Sequence, residues 1–230
     1  SAAFVTALPR NPLADACVAT LSALNVNTRH IVRTERGRLG LYFLETGANQ
    51  RPSQVIYDRE ASAISQTEAE SYDWPAVVTD TGWFHVTGIT PALSQQAARS
   101  SLVAARVAKE AGWTVSCDLN FRKKLWRWDR DVPSRDLAER TMRELLPHVD
   151  VVIANEEDCS DVLQIRAADT DVQAGRLAVE RYPEVAQRLI DQFPNVVHVG
   201  ITLRESLSAS NNKWGGMLYD RDRATALFGP

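Results

Sequence analysis

The sequence predicts an α/β domain with a mainly parallel central sheet, helices on both faces of that sheet and a small β-lid. Two observations lead to this prediction. From residue 83 onward, short apolar strand-like segments alternate with helical segments at the spacing of βαβ units. Between residues 29 and 61 the pattern changes to short alternating strands around the turn-rich stretch GANQRP, which is typical of a β-ribbon. At 230 residues the chain is long enough to bury one sizeable core.

The first elements of the chain are a strand, a helix and the ribbon. AAFVTA has the apolar character of a buried strand, and NPLADACVATLSALN follows it as a helix with Asn11 at the N-cap and Pro12 in the first turn. The ribbon contains three predicted strands, HIVRT, GRLGLYFLE and SQVIYDRE. We therefore divide the chain into a core, residues 1–28 and 62–230, and a lid inserted over residues 29–61.

The rest of the chain alternates strand and helix. The predicted strands are WFHVTG, WTVSCDLN, VDVVIAN and VVHVGITL. The predicted helices are SQQAARSSLVAARVAKEAG, SRDLAERTMRELLPH, EEDCSDVLQ and LAVERYPEVAQRLIDQF. The last segment, NKWGGMLYDRDRATALF, has the pattern of a hairpin with its turn at YDRDR. In such a sheet a ligand binds beyond the carboxyl ends of the parallel strands, so the candidate site lies at those ends.

The composition argues against several classes of function. The formal net charge of −3 and the pI of about 5.8 give no general electrostatic reason to bind nucleic acid or an anionic membrane. The three cysteines are odd in number and widely spaced, which is typical of reduced thiols in the cytoplasm. No apolar run approaches the roughly 20 residues that span a bilayer, and the N-terminus lacks the pattern of a signal peptide. We therefore expect a cytoplasmic protein.

The stretch SCDLNFRKKLW places Asp118, Asn120 and Arg122 at every second position of a predicted strand end. A carboxylate, an amide and a guanidinium at one strand end suit an anionic, metal-bridged ligand, since the Asp can hold a hydrated Mg²⁺ while the Arg binds a carboxylate or phosphate. The alternative is an internal Asp–Arg pair that only fixes the following loop. We favour the functional interpretation because clustered ionisable groups at strand ends are typical of sites.

Two further groups of residues allow both a functional and a structural interpretation. NEED, at 155–158, follows an apolar strand and opens a helix, where acidic residues complement the helix dipole but can also bind Mg²⁺-coordinated water beside nucleotide phosphates. In the ribbon, Tyr42, Tyr57 and Arg59 could clamp a polyhydroxylated acid through phenol hydrogen bonds and an Arg–carboxylate pair. The same pattern also fits an amphipathic surface hairpin.

Motifs of several large enzyme classes do not occur in the sequence. There is no GxxxxGK[ST], no GxGxxG after a strand, no HExxH and no GxSxG. This argues against P-loop enzymes, dinucleotide dehydrogenases, zincins and α/β-hydrolases. The four histidines are scattered, without metal-ligand spacing among themselves or to the cysteines, so we predict no direct protein-bound metal cluster.

Seven segments resemble one known family. They are AAFVTALPRNPLAD, GRLGLYFLE, RPSQVIYDREASA, FHVTGITPALS, SCDLNFRKKLW, VVIANEED and ITLRESLSAS. They are collinear over nearly the whole chain, and a D-x-N-x-R-x-x-L-W signature lies in the middle. The chain thus resembles the ribokinase-like (PfkB) carbohydrate kinases, and its ribbon and GITPALS segment resemble those of the 2-keto-3-deoxygluconate kinases. The resemblance implies a three-layer α/β/α fold and phosphorylation of a keto sugar acid at its terminal hydroxyl by ATP with Mg²⁺.

The resemblance also implies roles for individual residues. Tyr42, Tyr57 and Arg59 on the lid would contact the keto acid, with Ile89 lining its pocket, and Arg122 would bind substrate or phosphate charge. The implied phosphate and Mg²⁺ network consists of Asp118, Asn120, Asn155 and Asp158. The implied nucleotide-binding residues are Thr202, Arg204, Glu205 and Ser206. Two features depart from the family pattern: Asp158 replaces the Glu of its N-x-x-E element, and RES replaces a glycine-containing turn.

The same resemblance raises an expectation about the ends of the chain. The family's Gly-Gly substrate segment would precede Ser1, and its G-x-G-D element, which supplies an anion hole and the base Asp, would follow Pro230. Without that base we expect little or no kinase activity from the chain as given. Two alternatives remain open, another sugar kinase of the family such as a fructokinase and a non-catalytic sugar-acid-binding fragment. Family members commonly associate through their lids, so a homo-oligomer is expected.

Overall fold

The centre of the molecule is a six-stranded sheet with the order β10-β9-β8-β7-β6-β5. The computed structural model describes residues 2–48, 51–79, 82–155, 157–166, 181–206 and 211–229. The strands are β5 Trp83–Thr87, β6 Thr114–Asp118, β7 Val151–Asn155, β8 His198–Ser206, β9 Asn212–Asp220 and β10 Thr225–Gly229. Neighbouring strands from β5 to β8 are parallel, whereas β8, β9 and β10 pair antiparallel. The prediction of a mainly parallel sheet is therefore confirmed, and so is the terminal hairpin.

The helices that connect the parallel strands cover one face of this sheet. They are α4 Gln95–Glu110, α5 Ser134–Leu145, α6 Asp158–Leu163 and α7 Tyr182–Gln192. Because the strand order follows the chain order from β5 to β8, right-handed crossovers place these connections on the same side. Alternate strand residues such as Val86, Val115, Val152 and Val199 are buried beneath them. Helices were predicted on both faces, but within the described residues these connecting helices lie on one face, and the opposite face carries exposed apolar side chains, including Trp83, Leu218 and Leu227.

The N-terminal segment forms a smaller two-stranded parallel sheet with helices on both sides. Its strands are β1 Thr6–Pro9 and β2 Ile31–Thr34, and between them runs α1 Pro12–Ala23. The predicted N-cap of α1 is confirmed, since the Asn11 side chain accepts the Ala14 N–H at 2.9 Å. Leu8 packs with Ala14 of α1, whereas its neighbour Ala7 packs on the other side, against the segment of α2 Ala63–Gln66 and α3 Trp74–Val77.

The ribbon contains two strands, β3 Leu41–Glu45 and β4 Gln54–Asp58, paired antiparallel. The prediction that HIVRT is a third ribbon strand is wrong. These residues form β2, which pairs with β1 because Ile31 is buried beside Leu8 and α1. The division into a core and a lid over residues 29–61 remains a prediction. The first four residues of the helix predicted over LAVERYPEVAQRLIDQF lie outside the described residues, and the remainder forms α7.

The cysteines are free thiols in different environments. Cys117 in β6 and Cys159 in α6 are buried, whereas Cys17 in α1 is partly exposed. Burial raises the pKa of Cys159 to about 12 and also raises the pKa of Cys117. Both buried thiols are therefore protonated and unreactive in the folded protein at neutral pH. No helix within the described ranges is long and apolar enough to cross a membrane.

Gly88 fixes how closely the end of β5 approaches the end of β6. Its N–H donates to the Asp118 carbonyl at 2.8 Å. A Cβ at this position would lie 2.1 Å from the Leu119 carbonyl oxygen, which is backbone and cannot rotate away. The two strand ends can therefore meet at this spacing only if residue 88 has no side chain.

We predict that Gly88→Ala destabilises the protein by about 1–3 kcal/mol, the usual cost of overpacking a tight interior. The matched control is Gly200→Ala in the same sheet, where the nearest atom to an added Cβ is 4.0 Å away. Urea unfolding followed by circular dichroism measures both variants. Equal stability of the two variants would contradict the close approach at Gly88.

Candidate functional site

The ends of β6, β7 and β8 open into a cleft of about 480 Å³. It is lined by Asp118, Asn120, Arg122, Ile153, Ala154, Asn155, Glu157, Asp158, Thr202 and Trp214. The parallel register explains why distant parts of the chain meet here, since Asp118 lies opposite Ile153 and Asn155 lies opposite Thr202. The cleft therefore contains every residue predicted for the phosphate and Mg²⁺ network, together with Arg122.

A turn, rather than continued strand alternation, brings Asp118, Asn120 and Arg122 together. Strand β6 ends at Asp118, and Asn120 has a φ of 39°, in the left-handed region that Asn tolerates better than most residues. The Asn120 N–H donates to Oδ1 of Asp118 at 3.1 Å, and its Nδ2 donates to Oγ1 of Thr87 at 3.1 Å. The expected convergence on one cleft is observed, but the expected strand geometry is wrong.

Asp158 is a buried carboxylate that joins two of the strand ends. It is 3% exposed, and its oxygens accept the N–H of Phe121 at 3.0 Å and the N–H of Asn155 at 3.1 Å. Asn155 in turn accepts the N–H groups of Glu157 and Asp158 through Oδ1, both at 2.9 Å. These contacts give both residues a structural role at the start of α6. Their predicted role in a phosphate and Mg²⁺ network remains a prediction.

The cleft holds two carboxyl groups whose pKa values are raised. Burial is the main cause of the raised pKa of Asp118, and the charge of Asp158 adds to it. Burial also raises the pKa of Asp158, while its two backbone hydrogen bonds and Arg122 act in the opposite direction. Two neighbouring carboxylates in a partly buried site repel each other, so a cation or a proton stabilises them. The site is therefore suited to an additional positive charge near Asp118.

The lid brings the predicted sugar-acid residues together. Tyr42 and Tyr57 face each other across the ribbon, and the Arg59 guanidinium lies 5.7 Å from the centre of the first ring and 5.2 Å from that of the second. A second cleft, of about 370 Å³, connects this face of the lid with the core. It is lined by Val55, Tyr57, Phe121, Arg122, Lys123, Lys124, Asn155, Glu157, Asp158 and Asp161. Four residues thus line both clefts: Arg122, Asn155, Glu157 and Asp158.

Other predicted site residues are placed differently. Ile89 follows β5 but lines neither of the two clefts. Thr202 lines the first cleft, but Arg204, Glu205 and Ser206 continue β8 instead of leaving it as a loop, with Arg204 paired to Trp214 and Ser206 to Asn212. The side chains of residues 204–206 lie outside the described part of the structure. Their predicted role in nucleotide binding remains a prediction.

Sequence reasoning missed several residues that line the two clefts. Glu157 belongs to the NEED segment and could have been named, and Lys123 and Lys124 directly follow Arg122. Trp214 carries no such signal, because only the antiparallel pairing of β9 with β8 brings it to the cleft. A larger cleft of about 1030 Å³ involves α4 and α5 and contains none of the predicted site residues.

A family model for pfkB family carbohydrate kinases matches residues 1–192. The chain belongs to the pfkB family of carbohydrate kinases. A crystal structure of 2-dehydro-3-deoxygluconokinase from Thermotoga maritima has 42% sequence identity and a TM-score of 0.86, with 98% of this chain and 64% of that chain covered. This pfkB kinase chain therefore has the ribokinase-like α/β fold that its sequence resembles.

Two other known proteins are similar to this pfkB chain. A 2-dehydro-3-deoxygalactonokinase of Haloferax volcanii is 34% identical over 178 residues, which are 77% of this chain and 53% of that protein. A fructokinase from Xylella fastidiosa with bound ATP has a TM-score of 0.71 at 20% identity, covering 99% of this chain and 62% of that one, a likeness that concerns the fold. The pfkB chain spans about half the length of the curated relative and under two thirds of these solved structures.

We predict that Asp118→Asn stabilises the folded protein at neutral pH. Because the pKa of Asp118 is raised in the folded state, ionisation of this carboxyl lowers the free energy of unfolding. The gain should vanish below the unfolded-state pKa of about 3.9, rise with pH, and become constant above the folded-state pKa. Asn keeps the oxygen that accepts the Asn120 N–H.

Urea unfolding of both proteins between pH 3.5 and 8 measures this difference. The control is Asp191→Asn on the exposed surface of α7, which should change stability by less than about 0.5 kcal/mol. A destabilised Asp118→Asn variant at pH 7.5 would mean that the carboxylate is held by favourable partners and that the raised pKa is incorrect.

Proposed function

We propose that this pfkB kinase chain is the major part of a 2-keto-3-deoxygluconate kinase, which transfers the γ-phosphoryl group of ATP to the terminal hydroxyl of the acid. The product is 2-keto-3-deoxy-6-phosphogluconate. The observation that carries the proposal is the position of Arg59, whose charge lies beside two phenol rings on the face of the lid that meets the core cleft.

The three free thiols fit the expected cytoplasmic location.

Arg59 differs from two other arginines around the ribbon. Arg38 pairs with Asp58 and Arg51 pairs with Glu45, whereas the described contacts of the Arg59 guanidinium are with the aromatic faces of Tyr42 and Tyr57. Those contacts hold the guanidinium in place and leave its N–H groups able to bind a carboxylate. The two phenols can hydrogen-bond hydroxyls of the same ligand. A neutral sugar would make no use of this charge, so the arrangement favours a sugar acid. In this proposal Ile89 contributes apolar contact near the substrate.

The residues of the core cleft fit Mg²⁺ and the phosphates of ATP. Oxygen ligands suit Mg²⁺, which usually keeps several waters and binds proteins through one or two carboxylates. Asp118 and Glu157 supply such oxygens, whereas Oδ1 of Asn155 already accepts two backbone N–H groups. The described part of the chain contains no cluster of three or more His, Cys, Asp or Glu residues that could hold a metal ion alone. These residues would therefore hold a hydrated ion that is also bound to phosphate. When bound, Mg²⁺ supplies charge neutralisation at the ATP phosphates.

Transfer requires that a bond form between the substrate oxygen and the γ-phosphorus while the bond from that phosphorus to ADP breaks. Arg122 lines both clefts and would neutralise charge on the transferring group or on the substrate. Thr202 and the following residues 204–206 would contact the nucleotide from β8. The proton of the substrate hydroxyl goes to the base Asp, for which the family resemblance points to a G-x-G-D element.

A homo-oligomer that associates through the lid completes the proposal. Leu41, Phe43 and Ile56 alternate with Tyr42 and Tyr57 along the two strands, so they lie on the face of the ribbon opposite to Tyr57, which lines the second cleft. Their side chains are 39%, 57% and 64% exposed. An apolar face of this kind on an exposed two-stranded ribbon favours association with a second copy.

We predict that Arg59→Gln weakens binding of 2-keto-3-deoxygluconate by about 10- to 100-fold, since a charged hydrogen bond contributes about 1.5–3 kcal/mol. Binding is measured as the rise in melting temperature with ligand concentration. The matched control, Arg51→Gln on the same ribbon, should bind like the unchanged chain. Affinity for Mg·ATP should be the same in all three proteins. Stabilisation of the unchanged chain by fructose or adenosine but not by the keto acid would refute the substrate assignment.

We predict that Ile56→Glu abolishes self-association, because it places a charge in the centre of an apolar interface. Light scattering after size exclusion gives the mass in solution. Leu13→Glu, at an equally exposed position on α1, is the control and should leave the mass unchanged. If the unchanged protein is a monomer, or if the Ile56 variant keeps the oligomeric mass, association through the lid is wrong.

A further inference from the structure

Thr87 is the last residue of β5 and lies opposite Asp118 in the parallel register. Its side chain points to the face opposite the buried Val86, and its Oγ1 accepts a hydrogen bond from Nδ2 of Asn120 at 3.1 Å. The backbone N–H of Ile89 lies 3.5 Å from the same oxygen. Thr87 was not among the residues predicted for the site, and it lines neither cleft. It touches the site through Asn120.

Asn120 is the residue in the cleft that most needs such support. Its backbone has a φ of 39°, which costs an ordinary residue free energy unless the surroundings hold it. Two contacts hold it in place, its own N–H on Asp118 and its side-chain amide on Thr87. The first contact orients the carboxylate of Asp118. The second therefore supports the turn on which that orientation depends.

The hydrogen bond to Thr87 also determines which end of the Asn120 side-chain amide faces the cleft. One of the two N–H groups of Nδ2 donates to Thr87, which fixes the orientation of the amide, and none of the hydrogen bonds within the described residues uses its carbonyl Oδ1. Oδ1 is an acceptor, so it binds an O–H donor and repels a phosphate oxygen. The O–H donors that a kinase cleft offers are a hydroxyl of the sugar acid and a water bound to Mg²⁺.

We propose that Thr87 is a positioning residue, whose hydroxyl holds Nδ2 of Asn120 and thereby presents Oδ1 of Asn120 to an O–H donor of the bound ligand. The nature of that ligand rests on the proposed function, whereas the position of the amide does not. Oδ1 of Asn120 is then a hydroxyl or water contact within the network.

The test compares Thr87→Val, which removes the hydroxyl and keeps the shape, with Thr87→Ser, which keeps the hydroxyl. Thr114→Val is the matched control for a Thr to Val change in this sheet, because Thr114 begins β6 and so lies at the end of that strand away from Asp118. Melting temperature is measured against 2-keto-3-deoxygluconate alone and against Mg·ATP alone. We expect Thr87→Val to lose roughly fivefold to tenfold in affinity for one of the two ligands, as the loss of one hydrogen bond predicts. Thr87→Ser and Thr114→Val should stay within twofold of the unchanged chain.

The ligand that loses affinity identifies the donor. A loss confined to the keto acid assigns a sugar hydroxyl, and a loss confined to Mg·ATP assigns a metal-bound water. Equal affinity of Thr87→Val and the unchanged chain for both ligands would overturn the inference. So would an equal loss in Thr87→Ser, because the hydroxyl would then not be the group that matters.

A second readout needs no ligand and separates this inference from the proposed function. The side-chain amide of Asn120 gives a pair of NMR signals, identified by their absence in Asn120→Gly, which tolerates the positive φ. Slowed hydrogen exchange of one amide proton in the unchanged chain and in Thr87→Ser, but not in Thr87→Val, supports the inference even if neither ligand binds. Identical exchange in all three proteins overturns it, whatever the ligands do.

Discussion

The carboxylate of Asp158 is the interaction on which the geometry of the site depends. It is buried and receives two backbone N–H groups, one from the loop after β6 and one from the end of β7. Each N–H would otherwise need water or another acceptor at a partly buried strand end. The carboxylate thus joins two neighbouring strand ends directly, and Asn155, held in the same turn, starts α6. A shorter Asp in place of the family's Glu suits this role, because the acceptor must stay close to the backbone.

The burial of carboxylates in this arrangement also lowers the stability of the protein, and a bound cation would recover part of that stability. Burial disfavours the charged forms of Asp158 and Asp118, and the charge of Asp158 raises the pKa of Asp118 further. Arg122 offsets part of this cost in the free protein. A cationic or metal-bridged ligand would offset more of this cost, and the repulsion that it removes would contribute to its binding free energy. Ionisation of these two carboxyl groups therefore lowers the free energy of unfolding at neutral pH, and both groups line the cleft.

Most of the fold could be predicted because its signals are local. Asn11 before Pro12 identifies the start of α1, and the apolar strands alternate with helices whose spacing allows only parallel crossovers. The pairing of β2 could not be predicted in this way. HIVRT has the pattern of a strand, but nothing in those residues indicates whether the partner is the ribbon or β1, which lies more than 20 residues upstream. That choice depends on the burial of Ile31 against α1, a tertiary contact.

The residue types of the site could be predicted, but not its geometry. Asp118, Asn120 and Arg122 do share a cleft, although the positive φ of Asn120 rather than strand alternation brings them together. Thr87 gave no signal of its own, since a threonine at the end of a strand is common and its partner is more than 30 residues away. The extension of β8 through residue 206 depends on its pairing with β9, which a local pattern does not reveal.

Thiol labelling of the two buried cysteines can measure local opening of the structure around the site. Cys117 directly precedes Asp118, and Cys159 directly follows Asp158, and both thiols are buried in the hydrophobic core. A thiol reagent can reach either one only when that part of the sheet opens. The labelling rates of Cys117 and Cys159 therefore report how often the structure opens locally around each carboxyl group. Any ligand that bridges the two carboxylates should slow both rates together.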